Sequence, residues 1–381
     1  MSEGKLNILF IAKWFPHPED AQFGVFTLKH AHAASLFNNV YVLHICPLEV
    51  DEVKLVNDSS GGITILRLEY PQAWNIFQKT TKLTTWIKKA TNQLKNQFGP
   101  PDVVHCHILG SPVLIARHYF PKTPFVVSEH WTGFINGYFA KMPHWKQLWF
   151  RTSTSNAALT TVPSENLKRV MQQTHNFSGR FEVLPNVIEI PEDMQVNAPP
   201  SHVKAIVVAD LHEHNKNITG LLQAWDAIKL PEGSELLIAG DGQDREMLEK
   251  LSRSMKLEEK GVAFCGRLHN EEVFEALSSS SFLVVNSHFE TFSMVTAEAL
   301  AAGIPVLATR CGGPEQFVDK SNGVLIDKNK PQQLQDGLLR MIERTDDFNR
   351  QQISNEFRQK FSAGKVGQLM TEFYKQATNN D

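Results

Sequence analysis

Cysteine is scarce. The chain holds four in 381 residues, Cys46, Cys106, Cys265 and Cys311, with no C-x-x-C spacing among them. Neither a disulfide framework nor a paired-cysteine motif is therefore on offer. Three of the four sit in apolar or strand-like runs, where cysteine packs as a small hydrophobe, and that usage suits a reducing compartment. Long hydrophobic runs are missing as well. The opening MSEGKLNILFIAKWF has an apolar run of about five residues, shorter than a signal-peptide core. Nothing approaches the roughly 20 apolar residues that span a bilayer. The expectation is a cytoplasmic chain without a processed leader.

With 42% hydrophobic residues over this length, the chain exceeds one core and points to two domains. Its net charge of -3 is unevenly spread. Residues 1–190 carry 18 Lys+Arg against 13 Asp+Glu, and residues 191–381 carry 20 against 28. A basic half beside an acidic one suits an anionic partner for the first domain, such as a membrane surface or a phosphorylated acceptor, although ordinary charge scatter gives the same numbers. The overall acidity and the lack of a basic aromatic module argue against nucleic acid.

Short apolar runs bounded by turn residues recur at 6–12, 40–45, 103–107 and 125–127, then at 205–208, 236–239, 282–286 and 306–308. Each reads as a parallel strand buried on both faces. Helix-period stretches lie between them at 27–36, 80–97, 164–174, 218–228, 245–255 and 271–278, and a last one covers 347–374. This alternation predicts an α/β class with parallel sheets. Pro185, Pro191, Pro199 and Pro200 mark an interruption, so we expect a first domain over 1–186, a linker over 187–200 and a second domain over 201–350. The remaining segment, 351–381, is a helix that can return to the first domain. Two doubly wound, Rossmann-like domains would face a central cleft, and ligands would bind beyond the carboxyl ends of the strands.

Segment 286–315 is the richest. A strand end at Asn286 is followed by a loop and then by a helix over about 293–302, closed by Gly303. The backbone N–H groups of Phe292, Ser293 and Met294 at that helix start suit a diphosphate. Glu290 precedes the helix and Glu298 lies within it, so the two carboxylates address different parts of one extended ligand. Such a pair suits a sugar on one side of a diphosphate and a ribose diol on the other. The same spacing also suits two solvent-facing carboxylates on an amphipathic helix.

These residues resemble the donor motif of the retaining GT-B glycosyltransferases of family 4. Glu290 and Glu298 have seven residues between them, followed by Ala299, Ala301, Gly303, Pro305 and Val306 in the family register, and Gly312-Gly313-Pro314-Glu315 resembles its G-G-x-x-E turn. The resemblance implies that Glu290 contacts the transferred sugar and Glu298 the ribose. Lys216 then resembles the lysine that neutralises the donor diphosphate. Phe264-Cys265-Gly266-Arg267-Leu268 resembles the loop whose backbone near Arg267 and Leu268 reads the nucleobase. Where the family has Gly-Arg before the lysine loop, this chain has Ala209-Asp210. Arg267 or His214 would have to supply the missing charge. Gly240-Asp241-Gly242 resembles a structural turn of the family.

In the first half, Phe23-Gly24-Val25-Phe26 resembles the glycine loop beside donor phosphate and acceptor, with Gly24 allowing close backbone approach or a tight turn. His130, after Ser128-Glu129, matches the histidine that lines the reacting sugar. No D-x-D triplet occurs, which argues against a metal-bridged diphosphate. His105/His107 and His212/His214 have the spacing of metal pairs, but the sequence shows no further ligand cluster beside them, so neither a metal nor another cofactor is assigned. The implied activity is metal-independent transfer of a hexose-type sugar from a UDP- or GDP-sugar, with retention, to a glycan or lipid-linked acceptor in bacterial surface polysaccharide synthesis. Segment 79–98, with five lysines and no acid, and segment 138–151, which interleaves Tyr138, Phe139, Trp145 and Trp149 with Lys141, Lys146 and Arg151, suit peripheral docking on the inner face of an anionic membrane. A solvated helix with core aromatics fits the same residues. The alternatives are a sugar-nucleotide epimerase or phosphorylase of the same architecture, and a donor-binding or scaffolding subunit without turnover.

Overall fold

The structure is a computed structural model that describes residues 4–191 and 194–379, with the side chains of 76–80 and 270 outside the described set. The chain divides into two compact units, Met1–Val187 with Ser362–Asp381, and Ile188–Phe361.

The first unit is built on β1 (Asn7–Ala12), β2 (Asn39–Leu48), β3 (Lys54–Ser60), β4 (Ile63–Pro71), β5 (Val103–His107), β6 (Phe125–Ser128), β7 (Leu159–Val162) and β8 (Phe181–Val183). They form one sheet in the order β3-β4-β2-β1-β5-β6-β7-β8. Every neighbouring pair is parallel except β3 with β4. The second unit holds β9 (Lys204–Val208), β10 (Glu235–Ala239), β11 (Val262–Gly266), β12 (Phe282–Val285), β13 (Val306–Thr309) and β14 (Gly323–Ile326). Their order is β11-β10-β9-β12-β13-β14, parallel throughout. Both are doubly wound sheets. Their strand order reverses between β1 and β5 and between β9 and β12, which are the positions where such folds open a crevice for a ligand.

Pattern reading misses β3, β4, β7, β8, β11 and β14, and for three of them the local reason is plain. β3 and β4 form a hairpin about Gly61-Gly62, a dipeptide that signals a two-residue turn, but the charges along β4 disguise its burial. Arg67 sits 2.8 Å from Glu69 and 2.9 Å from Asp58, and this pairing lets a charged residue lie in a covered strand. β8 is only three residues long, below what an apolar run can signal.

The expected helix over 347–374 is two helices, Arg350–Lys360 and Ala363–Thr378. Phe361 belongs to the second unit's core, packed on Phe292, Phe317 and Phe357. Ser362 then caps the next helix by accepting from the Lys365 amide at 3.2 Å, as serine does at an N-cap. The stretch 187–200 is likewise no free linker. Ile188 is already in the second core, and its amide donates to the Phe361 carbonyl at 2.9 Å. Arg358 holds the Met194 carbonyl at 3.0 Å. Glu192 and Asp193 lie outside the described residues. The prolines suggest a spacer, but Arg350 and Arg358 of helix Arg350–Lys360 hold the segment down through the Asn197 and Met194 carbonyls.

Helix Ala363–Thr378 packs in the first unit on helix Val25–Ser35. Gly367 permits the approach, since a Cβ there would run into the Ala33 carbonyl. Backbone cannot yield as a flexible side chain can. Gly367→Ala is expected to destabilise the first unit by about 1–3 kcal/mol in denaturant unfolding, and an unchanged midpoint would show that the two helices are not in this contact.

Candidate active site

Two loops leave the switch point of the second unit. The first follows β9 and carries the short helix Glu213–Lys216, then Asn217 in the left-handed conformation (φ 48°), then helix Ile218–Ala227. The Glu213 carboxylate accepts from the amides of Ile218 (2.9 Å) and Thr219 (3.2 Å), so it satisfies the first turn that Asn217 leaves uncapped. The second loop follows β12. Asn286 donates from Nδ2 to the Asn217 carbonyl at 2.9 Å, and the His288 amide donates to the Asn215 carbonyl at 2.7 Å. Backbone contacts thus lock the loops together, and their side chains meet.

Lys216 Nζ lies 2.7 Å from Glu290 Oε1, and Ser287 Oγ donates to that same oxygen at 2.9 Å. The Glu290 amide donates to the Cys311 carbonyl at 3.0 Å. Glu290 Oε2 has no hydrogen-bond partner among the described residues. The pair is mostly covered, with side-chain exposures of 19% and 14%, so solvent screens it only in part. Burial alone would lower the lysine pKa, but the neighbouring Glu290 and then Asp210 outweigh it, and the net shift is upward. A small recess open to solvent lies here, with Lys216, Ser287 and Glu290 at its polar part and Val207, Val284 and Val295 along its wall.

Helix Met294–Ala301 begins beside this pair, with Ser293 as its N-cap at φ 71°. A positive φ is uncommon away from glycine. It turns the Ser293 hydroxyl onto Thr296 Oγ1 at 2.7 Å and leaves the helix without a side-chain cap. First-turn amides of a helix have no intrahelical acceptor and lie at its positive end, so this end suits an anion. Of the expected trio 292–294, Phe292 has its side chain buried in the core against Phe317 and Phe361, Ser293 is the N-cap and Met294 is the first helical residue. Glu298 sits half-buried within the helix. Gly312 donates its amide to both oxygens of Glu315, at 2.9 and 2.8 Å, which pins the turn behind Glu290.

Arg267, exposed, and Leu268, half-buried, follow edge strand β11. That strand is two places from β9, or roughly 10 Å at about 4.8 Å per strand. Gly240 lets its chain press on Ala209, where a Cβ would strike the Ala209 carbonyl, so Gly240-Asp241-Gly242 braces the Lys216 loop. Asp210 is exposed. One cation on this rim went unnoticed in the sequence. The Arg245 guanidinium lies 3.2 Å from where a Gly266 Cβ would be, 2.8 Å from Glu249 and 3.6 Å from Asp241. Its signal in the sequence is the i,i+4 spacing to Asp241 on one side and to Glu249 on the other.

In the first unit, Gly24 is the left-handed N-cap of helix Val25–Ser35, and a Cβ on it would overlap the Trp14 backbone. The chain itself therefore demands this glycine. His130 is buried just after β6, its ring 4.4 Å from that of Phe26. Glu129 holds it there. One of its oxygens accepts from the His130 and Trp131 amides, each at 2.8 Å, and the other from the Leu109 amide at 2.9 Å. Burial raises the Glu129 pKa to about 7, against the lowering effect of those three amides. Across the switch point, Ile108 follows β5 at φ 72°, an outlier for a β-branched residue. Its amide donates to the Ser128 carbonyl at 2.8 Å.

Of the aromatics in 138–151, Tyr138 and Trp145 are exposed along with Leu148, whereas Phe139 is buried and Trp149 packs on Phe150. Arg151 is committed inward, bonding the His175 carbonyl at 2.7 Å. In helix Ile76–Phe98, Lys95 bonds the Tyr119 carbonyl at 2.7 Å, and the Lys79 side chain lies outside the described residues.

Two units of this kind, each a doubly wound parallel sheet, are the architecture of the GT-B proteins. The family description Glycosyl transferases group 1 matches residues 189–360, and Glycosyltransferase Family 4 matches residues 40–191. The chain belongs to the GT-B glycosyltransferases of family 4 and group 1. It is 24% identical to an uncharacterised glycosyltransferase of Methanocaldococcus jannaschii over 68% of this chain and 72% of that one. It is 29% identical to a GDP-mannose-dependent alpha-mannosyltransferase of Mycobacterium tuberculosis over 57% and 58%, so the match spans little more than half of that relative. Among solved structures, sucrose-phosphate synthase from Thermosynechococcus elongatus superposes with a TM-score of 0.77 at 16% identity, covering 98% and 99% of the two chains. This likeness shows the fold.

The Lys216–Glu290 pair gives a direct test. A double-mutant cycle of Lys216→Met and Glu290→Gln should return a coupling of about 1–3 kcal/mol in unfolding experiments near neutral pH. Because the folded lysine keeps its proton to higher pH than the unfolded one, this stabilisation is complete below roughly pH 10.4 and is lost as pH rises through the folded value. A coupling near zero at neutral pH would mean that the ion pair does not form.

Proposed function

We propose that this protein transfers a hexose-type sugar from a UDP- or GDP-sugar to a glycan or lipid-linked acceptor, with retention and without a metal on the diphosphate. The observation that carries the reading is the Lys216–Glu290–Ser287 cluster at the switch point, beside the start of helix Met294–Ala301. An ammonium and helix amides together suit the charge that builds on a departing diphosphate, the interaction that weighs most when no metal assists. Glu290 Oε2 can accept a sugar hydroxyl, Glu298 a ribose hydroxyl, and the backbone at Arg267 and Leu268 the base. Gly24 and His130 line the acceptor side and the reacting sugar. The bond from the anomeric carbon to the diphosphate oxygen breaks while a bond to the acceptor oxygen forms on the same face. The departing phosphate oxygen takes the acceptor proton. The GDP-mannose-dependent relative supports a nucleoside-diphosphate sugar as donor.

Release of UDP or GDP from a panel of nucleotide sugars, with and without bacterial lipid extract, tests this. Turnover with one donor is expected, stimulated by the extract and lowered about 100- to 1,000-fold in Lys216→Ala and similarly in Glu290→Ala. Exposed Asp210, standing in place of the family arginine, favours a second reading as a donor-binding subunit. Binding without cleavage of any donor would establish that reading and remove the first.

A lipid-linked acceptor would be met at the inner face of the cell membrane, as in bacterial surface polysaccharide synthesis. Residues 70–164 carry ten Lys+Arg and only two Asp+Glu, Asp102 and Glu129. Exposed Tyr138, Trp145 and Leu148 lie within that stretch, and among the described residues no helix is long and apolar enough to cross a membrane. Each lysine near an anionic surface contributes about 1 kcal/mol. Sedimentation with vesicles should therefore rise with anionic lipid content and fall in Trp145→Ala and Lys146→Ala. Binding that ignores anionic lipid would exclude this docking mode.

A further inference from the structure

Three buried histidines converge at the switch point of the first unit. His30 comes from helix Val25–Ser35, His107 ends β5 and His130 follows β6. One ring nitrogen from each lies within 4.8 Å of the others. Paired-histidine spacing in the sequence suggested no site because His107 had only His105 beside it. The His105 ring stays beside that of His107, centroids 4.3 Å apart, but both its nitrogens are engaged, Nδ1 2.7 Å from the Tyr374 hydroxyl and Nε2 2.7 Å from Ser128 Oγ. In its place the fold supplies two partners from distant segments.

The hydrogen bonding around the three rings decides what they can do. His30 Nε2 is 3.1 Å from the Pro185 carbonyl. A carbonyl only accepts, so Nε2 carries the hydrogen and Nδ1 presents a lone pair. His30 Nδ1 is buried without a partner among the described residues, and so are both ring nitrogens of His107. A carbonyl that bonds the far ring nitrogen and so fixes the tautomer is the usual support of a metal-ligating histidine. Burial also holds all three rings below the ordinary histidine pKa, His30 at about 4 with the Pro185 bond acting in the opposite direction. They therefore offer lone pairs at neutral pH.

We propose that His30, His107 and His130 form a binding site for one divalent transition ion of the zinc class. Three imidazoles with an open fourth position match the nitrogen preference of Zn²⁺, Co²⁺ and Ni²⁺ and exclude Mg²⁺ and Ca²⁺, which require oxygen ligands. Bonds of about 2.1 Å would bring the nitrogens to roughly 3.4 Å apart, so each ring closes in by under about 1 Å. The site is in the other unit from Lys216 and Glu290 and goes beyond the transfer reading.

Zn²⁺ titration of chelator-treated full-length protein, read by calorimetry and by chelator competition, tests the site without any turnover assay. One equivalent per chain is expected, with affinity unaffected by excess Mg²⁺. Affinity should drop at least about 100-fold in His107→Gln and in His30→Gln, and each variant is to be checked for native circular dichroism. The exposed pair His212/His214 serves as a control, because His212→Ala/His214→Ala should bind as the parent does. Absence of stoichiometric binding, or binding that survives both core variants and disappears in the His212/His214 variant, would overturn the proposal.

Discussion

A parallel sheet buried on both faces must return its chain over one face or the other, and wherever the direction of winding changes, two neighbouring loops part company at the strand ends. The rest of this protein depends on that constraint. β9 and β12 part in the second unit, β1 and β5 in the first, and every residue with a strong claim on chemistry stands on a loop or helix start at one of these openings or close beside it. Lys216 and Glu290 are 74 positions apart in sequence and become partners because their strands are adjacent. The two histidines that join His107 in one cluster come from the helix after β1 and the loop after β6, for the same reason.

Open loops need holding, and the chain uses buried or half-buried carboxylates as backbone anchors. Glu213 takes two amides of helix Ile218–Ala227, Glu129 takes three around His130, and Glu315 takes the Gly312 amide on both oxygens. A carboxylate bonded to backbone N–H groups makes strong, directional contacts. These acids are structural neighbours of the functional groups and fix their positions. The backbone also takes uncommon angles at these loops, at Ser293 and, beside the Glu213 and Glu129 anchors, at Asn217 and Ile108. Such strain gathers at sites where geometry matters more than local preference.

The class of fold was readable because buried strands leave near-continuous apolar runs, as in β1, β5 and β9. The spacing of Glu290 and Glu298 around a helix start was readable for the same local reason. Strands with charged or few residues, β4 and β8, carried no such signal. The split of the C-terminal helix at Phe361-Ser362 was hidden too, since an apolar residue followed by serine occurs inside many helices, and only the destination of Phe361 in one core and of Tyr374 in the other separates them.

By itself the sequence determined two α/β units, a donor-type motif and the residue types available for it, because periodicity, caps and short motifs are local properties of a chain. Tertiary structure decided which of those residues meet. It joined Lys216 to Glu290, turned Phe292 into core, gave Gly24 a packing duty, brought Arg245 to the Gly266 rim and gathered His30, His107 and His130. Pairings between distant segments follow from strand order and loop direction, and neither is written in the spacing of residues along the chain.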